Sequence, residues 1–276
     1  GGIEATLAER ESIPFSPIAT GQIRGRAPWI IARNLLRMRQ GTLECRQIIR
    51  ECRPDVVFMT GGYVAVPVAW AARAERVPMM IYLPYLTPGQ AVRYTARYAA
   101  KVAVSFPEVA RYFGDKAVVT GYPVRLELHR GDKAAARAAL GFPSDMPVLL
   151  VFGGSRGARS INRALIDGLP ELLTQCQVLH VTGQAGWAEA EQAARTAPVP
   201  DELRTRYHAY PYLHEMVDAL LAADLAVARA GAATLGEFPA AGLPGILVPY
   251  PYAGQNQEAN AAYLADRGAA VTLRDA

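Results

Sequence analysis

Short apolar runs recur along this chain between alanine- and arginine-rich amphipathic stretches, and that alternation constrains the fold more than any other feature. The runs are 55–59 (DVVFM), 79–83 (MMIYL), 101–105 (KVAVS) and 117–120. After a gap come 148–152 (VLLVF), 177–181 (QVLHV), 207–210, 225–228 (LAVA), 246–248 and 269–273. Runs this short, rich in Val, Ile and Leu, read as buried strands. Helical patterns fill the spaces at 64–76, 89–100, 158–173 and 258–267. Strand and helix in alternation predict parallel sheets with helices on both faces. The pattern pauses between Gly121 and Pro147, where GYPVR is followed by HRGDKAAARAALGFPSDMP, a turn, a charged helix and a Pro/Gly linker. The expected organisation is therefore two α/β domains, 1–143 and 144–276, each with a parallel sheet. Two such domains facing each other would enclose a cleft, and ligands would bind outside the carboxyl ends of the strands.

Composition narrows the function classes. Hydrophobic residues make up 51% and charged residues 20%, which describes a folded globular chain. The net charge of +4 suits an acidic ligand or an anionic surface. No arginine-and-aromatic tract points to nucleic acid. Three cysteines (Cys45, Cys52, Cys176) without a CxxC pair argue against a disulfide framework and a zinc site. His129, His180, His208 and His214 lack metal-ligand spacing. No run of about 18 apolar residues is present. The chain opens on Gly1-Gly2 without a methionine, which suggests a piece of a longer protein.

Four polar loops follow apolar runs. Gly153-Gly154-Ser155-Arg156-Gly157 joins a strand to a helix, where small residues allow close approach and the helix amino end favours a diphosphate. The bland alternative is a tight turn that holds nothing. The loop matches neither GxGxxG nor GxxxxGK[ST]. It is similar to a short-chain reductase loop, but that reading wants a tyrosine with lysine four residues on later in the chain, and no such pair follows it. At Arg229–Glu237 (RAGAATLGE), Gly231 makes a turn, and Thr234 and Glu237 share a helix face. A carboxylate there can accept from both hydroxyls of a ribose, or simply sit solvated near a helix amino end. Gln255, Asn256, Gln257 and Asn260 can bind sugar hydroxyls, and one of them can cap a helix. Gly61, Gly62 and Tyr63 form a comparable loop in the first half, and Arg125 in GYPVR can clamp a phosphate or lie on the surface.

The segment 21–47 carries Arg24, Arg26, Arg33, Arg37, Arg39 and Arg46, interleaved with Trp29, Ile30, Ile31, Leu35, Leu36 and Met38. It holds no acidic residue before Glu44. Trp29, Ile30, Arg33, Leu36 and Arg37 would suit an anionic bilayer surface. The alternative is a core-facing amphipathic helix with its arginines in water.

Six motifs then stand in a characteristic order: GGYVAVP (61–67), GYPVR (121–125), GGSRGAR (153–159), RAGAATLGE (229–237), AAGLPGILVPYP (240–251) and QNQEANA (255–261). Together they resemble the MurG family, the undecaprenyldiphospho-muramoylpentapeptide β-N-acetylglucosaminyltransferases, over essentially the whole chain. The resemblance implies a GT-B architecture, with two Rossmann-like domains facing across a cleft. It implies UDP-N-acetylglucosamine as donor, lipid I as acceptor and lipid II as product, with inversion at the anomeric carbon and no required metal or other cofactor. It further implies a peripheral position on the cytoplasmic face of the cell membrane, an anionic inner-membrane surface and other cell-wall enzymes as partners, and a role in cell shape and division.

By the same resemblance, Glu237 holds the ribose and the Leu213 backbone meets uracil. Gly154, Ser155, Arg156, Arg125, Gly231 and Thr234 face the diphosphate. Gln255, Asn256 and Gln257 orient the sugar, and Gly61, Gly62 and Tyr63 lie on the acceptor side. The family's general-base histidine sits in a glycine-rich loop expected before residue 1, and closing helices are expected after the last strand. A departure occurs at Tyr82–Gly89 (YLPYLTPG), where many members carry an HEQN-type segment. Two alternatives remain beside the transferase: a related GT-B enzyme acting on another lipid such as diacylglycerol, and a nucleotide-sugar-binding module without catalysis.

Overall fold

The computed structural model describes residues 3–22, 25, 27–143, 145–154, 157–251 and 256–275. The chain forms two compact units, Gly1–Gly121 and Tyr122–Ala276. In the first, α1 (Ile3–Arg10) and α2 (Pro28–Cys52) precede β1 (Val57–Met59), α3 (Ala65–Ala74), β2 (Met79–Leu83), α4 (Gln90–Thr95), β3 (Lys101–Val104) and β4 (Ala117–Val119). The strands pair in parallel in the order β1-β2-β3-β4. β3 is interior and buried along most of its length, whereas the edge strand β4 exposes Val118 and Val119. α2 buries Asn34, Met38, Gly41, Cys45 and Ile49, a single stripe at helical spacing. It packs along α3, whose buried alanines permit close approach.

The second unit begins with α5 (Leu126–Arg130) and α6 (Lys133–Leu140). The alternation then resumes with β5 (Val148–Phe152), α7 (Arg159–Gln175), β6 (Gln177–Val181), α8 (Trp187–Thr196), α9 (Asp201–Arg204) and β7 (Tyr207–Tyr210). It closes with α10 (Met216–Ala222), β8 (Leu225–Ala228), α11 (Thr234–Ala241), β9 (Gly245–Leu247), α12 (Asn256–Ala265) and β10 (Ala270–Thr272). All pairings are parallel, in the order β10-β9-β8-β5-β6-β7. Renumbered within the unit, this is the 3-2-1-4-5-6 order of a Rossmann sheet. The central β5 and β6 are buried along nearly their whole length; β5 reads as an unbroken apolar run, whereas β6 also buries Gln177 and His180. Ile161, Leu165, Leu169 and Leu173 of α7, four residues apart, pack on Leu149, Val151 and Val178.

The expected strands all form; β1, β3, β4 and β10 are one or two residues shorter than the apolar runs, and β9 is shifted by one residue. The helix expected over 89–100 stops at Thr95, whose hydroxyl donates back to the Ala91 carbonyl (2.9 Å). The expected boundary at 143/144 is displaced: the break lies between Gly121 and Tyr122. The reason is packing. α6 lies against α10, and the Tyr122 ring sits against Gly236 of α11, where a Cβ would not fit. No helix among the described residues is long and apolar enough to cross a membrane.

Asp224, at the start of β8, is the polar tie that holds α6 to the sheet. Its carboxylate accepts from Lys133 Nζ (2.6 Å), the Val148 amide (2.7 Å) and Arg137. Burial pushes its pKa up, but the hydrogen bonds from Lys133 and Val148 and the charges of Lys133 and Arg137 outweigh this and hold it below the usual carboxylate range. A depressed folded-state pKa gives stability that is present above the unfolded value, about 3.9, and lost as pH falls through the folded value. Asp224→Ala should lower unfolding stability by about 1 kcal/mol at pH 7, discounted for the site's partial exposure. Urea titration should show this difference shrinking as the pH falls through the acid range.

Candidate functional site

The strand order of the second unit reverses at β5. The chain leaves β5 toward β6 through α7, and leaves β8 toward β9 through α11. Two loops therefore diverge at neighbouring strand ends and leave a crevice, the usual ligand position in such sheets. The glycine loop and the Arg229–Gly231 turn flank it.

The glycine loop is a tight return. Gly154 and Gly157 have φ of +83° and +73°, and the Gly157 amide donates to the Gly154 carbonyl (2.9 Å). Ser155 and Arg156 lie outside the described residues. α7 starts at Arg159 with no side-chain cap and no acidic residue in its first turn. Its first amide donors and the positive end of its dipole therefore meet no competing carboxylate from the helix itself, which suits an anion.

On the other flank, Gly231 turns the chain into α11. The Thr234 hydroxyl donates to the Gly231 carbonyl (2.7 Å) and is buried, so this hydroxyl braces the turn. Glu237 lies about one helical turn beyond it, half-buried. Among the described residues no group donates a hydrogen bond to its carboxylate, while its backbone amide donates to the Ala233 carbonyl (2.8 Å). Burial raises its pKa, opposed by the positive charge of Arg125, which is exposed at the amino end of α5. A partly desolvated carboxylate without a donor is a prepared acceptor for hydroxyl groups. Leu213 lies in the loop beyond β7, two strands from β5. That is a lateral distance of roughly 10 Å at normal strand spacing, comparable to the reach of a nucleotide.

The amide cluster is divided in its duties. Gln257 Oε1 accepts from the Tyr250 amide (2.9 Å), and the buried Asn260 donates to the Ala230 carbonyl (3.0 Å). These two tie α12 to Tyr250 and to the Ala230 turn, while Asn256 stands exposed at the first turn of α12. Gln255 falls outside the described residues. Among the described residues, no cluster of three His, Cys, Asp or Glu side chains is placed to hold a metal ion.

Arg229 was not singled out by the sequence, yet it organises the crevice. Its guanidinium donates to Ser160 Oγ (2.9 Å) on α7 and to the Val248 and Pro249 carbonyls (3.2 and 3.4 Å), and pairs with Asp275 (2.7 Å). It also lies over the Tyr250 ring (5.3 Å). An arginine directly after an apolar strand is the signal that could have found it.

In the first unit, Gly61, Gly62 and Tyr63 follow β1, with Tyr63 half exposed. The Tyr82–Gly89 segment leaves the neighbouring β2 on the same sheet edge, and the Tyr82 hydroxyl lies 2.7 Å from Ser105 Oγ. Tyr112 and Lys116 have the four-residue spacing of a reductase pair, but they lie in this unit, ahead of the glycine loop. Lys116 is committed to the Ala96 and Arg97 carbonyls (3.1 and 2.8 Å). On α2, Trp29, Leu36 and Leu43 are 74%, 68% and 57% exposed and recur every seventh residue, opposite the buried stripe. Arg33 and Arg37 are exposed beside them, whereas Ile30 is half-buried at the border. Arg24 and Arg26 lie outside the described residues.

The raised pKa of Glu237 carries a sign. A carboxyl whose pKa is higher folded than unfolded favours the folded state at low pH and opposes it once ionised. Glu237→Gln should therefore make the ligand-free chain more stable at pH 7, with the gain vanishing on acidification. Thermal unfolding at pH 7 and pH 4 checks this.

Comparison with known proteins agrees with this geometry. Residues 1–104 match the glycosyltransferase family 28 N-terminal domain, and residues 148–276 match its C-terminal domain. The UDP-N-acetylglucosamine–N-acetylmuramyl-(pentapeptide) pyrophosphoryl-undecaprenol N-acetylglucosamine transferase of Roseiflexus sp. (strain RS-1) is 45% identical across 100% of this chain and 70% of its own length. The protein of the same description in Bacillus subtilis (strain 168) is 35% identical across 99% and 75%. The crystal structure of Acinetobacter baumannii MurG superposes with a TM-score of 0.73 at 28% identity, covering 99% of this chain and 74% of that one. UDP-GlcNAc 2-epimerase from Neisseria meningitidis, bound to UDP-GlcNAc, shares the fold at 14% identity and a TM-score of 0.58, covering 89% and 71%. The chain belongs to the MurG family within glycosyltransferase family 28 and is a glycosyltransferase built from two Rossmann-like units.

Proposed function

We propose that this protein transfers N-acetylglucosamine from UDP-N-acetylglucosamine to the 4-hydroxyl of the muramoyl sugar of lipid I, giving lipid II for peptidoglycan synthesis. The observation that carries this reading is identity of 35–45% to transferases of that description along essentially the whole chain. The acceptor oxygen attacks the anomeric carbon, the bond from that carbon to the diphosphate breaks, and UDP departs with the bonding pair. Inversion follows from attack on the opposite face.

The second unit supplies the donor site in this reading. Glu237 accepts from the ribose hydroxyls, and the Leu213 backbone meets the uracil. The glycine loop, the amino end of α7 and Arg125 take the diphosphate. Asn256 and Gln255 orient the sugar, together with the amide nitrogen of Gln257, whose oxygen is held by the Tyr250 amide. Positive dipole ends and arginine stabilise the charge of the leaving group, so that the reaction runs without a metal. Gly61, Gly62 and Tyr63 serve the acceptor side, and YLPYLTPG at 82–89 gives this protein acceptor contacts of its own.

The exposed face of α2 supports attachment to the cytoplasmic surface of the membrane, where the lipid-linked acceptor resides. Trp29, Leu36 and Leu43 are an apolar stripe with cations beside it, which water alone would not favour. The neighbouring α3–α4 region adds Arg73 and Arg97 over the rings of Tyr98 and Tyr94. We further propose that the protein associates there with other cell-wall enzymes and so takes part in cell shape and division.

Calorimetric titration with UDP-N-acetylglucosamine and UDP-glucose tests the donor assignment: selective binding of the N-acetyl sugar is expected, and equal binding counts against it. Glu237→Ala should weaken UDP-N-acetylglucosamine binding by about 1–3 kcal/mol, the range for a lost hydrogen bond to a charged group. An unchanged affinity removes Glu237 from the site. The triple variant Arg33→Gln, Arg37→Gln, Arg39→Gln should bind anionic vesicles more weakly, by about 1 kcal/mol per charge removed near the surface. Equal sedimentation with vesicles counts against the membrane face.

A further inference from the structure

Beneath the glycine loop, three polar side chains from three elements are joined in a row. Asn162, in the first turn of α7, is 4% exposed, and His180 of β6 is fully buried. Asn162 Nδ2 donates to the Thr182 carbonyl (3.0 Å), Asn162 Oδ1 lies 3.0 Å from His180 Nε2, and His180 Nδ1 lies 2.8 Å from the Tyr207 hydroxyl of β7.

The proton positions follow by elimination. A carbonyl only accepts, so the amide nitrogen of Asn162 must be the end that faces Thr182. The amide oxygen then faces His180 and needs a donor, which places the imidazole proton on Nε2. Burial lowers the His180 pKa to about 4 and raises that of Tyr207 to about 12, so both are neutral at pH 7. Nδ1 of the neutral ring is bare and accepts from the tyrosine hydroxyl. Every donor thus points the same way, Tyr207 to His180 to Asn162 to Thr182, and bonds aligned in this manner polarise one another.

The last acceptor is the informative one. The Thr182 carbonyl is the surface against which Gly157 closes the glycine loop, with no room for a Cβ between them. From the other side, the Thr182 hydroxyl donates to the Gly183 and Tyr210 carbonyls (3.2 and 3.3 Å). The row therefore ends on the floor of the loop, and Asn162 also belongs to the helix turn whose amides frame it. None of the three side chains has been assigned to the donor site itself.

We propose that Tyr207, His180 and Asn162 form a one-directional hydrogen-bond relay that positions the glycine loop for the donor's diphosphate. They are positioning residues, acting through the Thr182 carbonyl and the first turn of α7. The proposal rests on the reading of that loop as the diphosphate site.

The test is titration of the chain with UDP and with uridine, which lacks the diphosphate. His180→Leu breaks the relay and should lower UDP affinity about tenfold, the worth of roughly one hydrogen bond, while uridine affinity stays as in the wild type. His180→Gln puts an amide N–H near the position of Nε2 and should recover most of the loss. A general loosening of the fold would instead lower both affinities together. Equal loss for both ligands, no loss for either, or no recovery with glutamine overturns the relay. Failure of the wild-type chain to bind UDP overturns the donor-site reading, and the relay's assignment falls with it. Should His180→Leu not fold, nitrogen NMR of the wild-type imidazole at pH 7 decides: the Nε2–H tautomer is expected, and the Nδ1–H tautomer or an imidazolium overturns the proposal.

Discussion

Strand β5 pairs with β6 on one side and β8 on the other, and the candidate site depends on that double pairing. The right-handed crossover from β5 to β6 and the one from β8 to β9 run in opposite directions along the sheet, so their helices lie on opposite faces. The loops at the carboxyl ends of β5 and β8 consequently part company, and the amino ends of α7 and α11 border the gap, the first amides of α11 being taken up by carbonyls of residues 231–233. Short strands of Val, Leu and Ala, buried on both faces, hold this arrangement rigidly. The polar groups around the gap thus stand at the ends of strands buried in the core of the unit.

Polar residues at the crevice divide into braces and receivers. Arg229, Asn260, Gln257 and the Thr234 hydroxyl spend their hydrogen bonds on neighbouring backbone, and so set the loop positions. Among the described residues none donates to the half-buried Glu237 carboxylate, an arrangement that opposes its ionisation in the fold and leaves it ready to accept from hydroxyl groups. This is the usual physical signature of a binding residue, in which local stability is traded for affinity. The buried Asn162–His180–Tyr207 row belongs with the braces, one layer deeper.

Helix α2 solves a different problem. One face carries small and apolar residues that are buried, and the opposite face carries tryptophan, leucine and arginine that are largely exposed. A helix with two apolar faces and a cationic border is poorly explained by burial within its own unit alone, and is well matched to a surface that is apolar within and anionic at its edge.

Much of this was readable along the chain. Periodicity of apolar runs located every strand of both sheets, because buried parallel strands must be apolar on both faces. The loops that flank the crevice were marked by glycine, and Glu237 by its place one turn beyond such a loop. What the sequence could not supply were relations between distant residues. The break at Gly121 rather than at 143/144 came from Asp224 and Gly236 receiving side chains from the 122–143 segment, contacts that leave no periodic trace. The bracing roles of Thr234, Gln257 and Asn260 came from partners they meet only after folding. His180 read as one more apolar-strand residue until Tyr207 and Asn162 were found on either side of it. Local chemistry determined which segments would be strands and which loops could hold a ligand. The tertiary structure alone decided which polar atoms were already occupied, since a hydrogen bond is satisfied by proximity in space and not by distance along the chain.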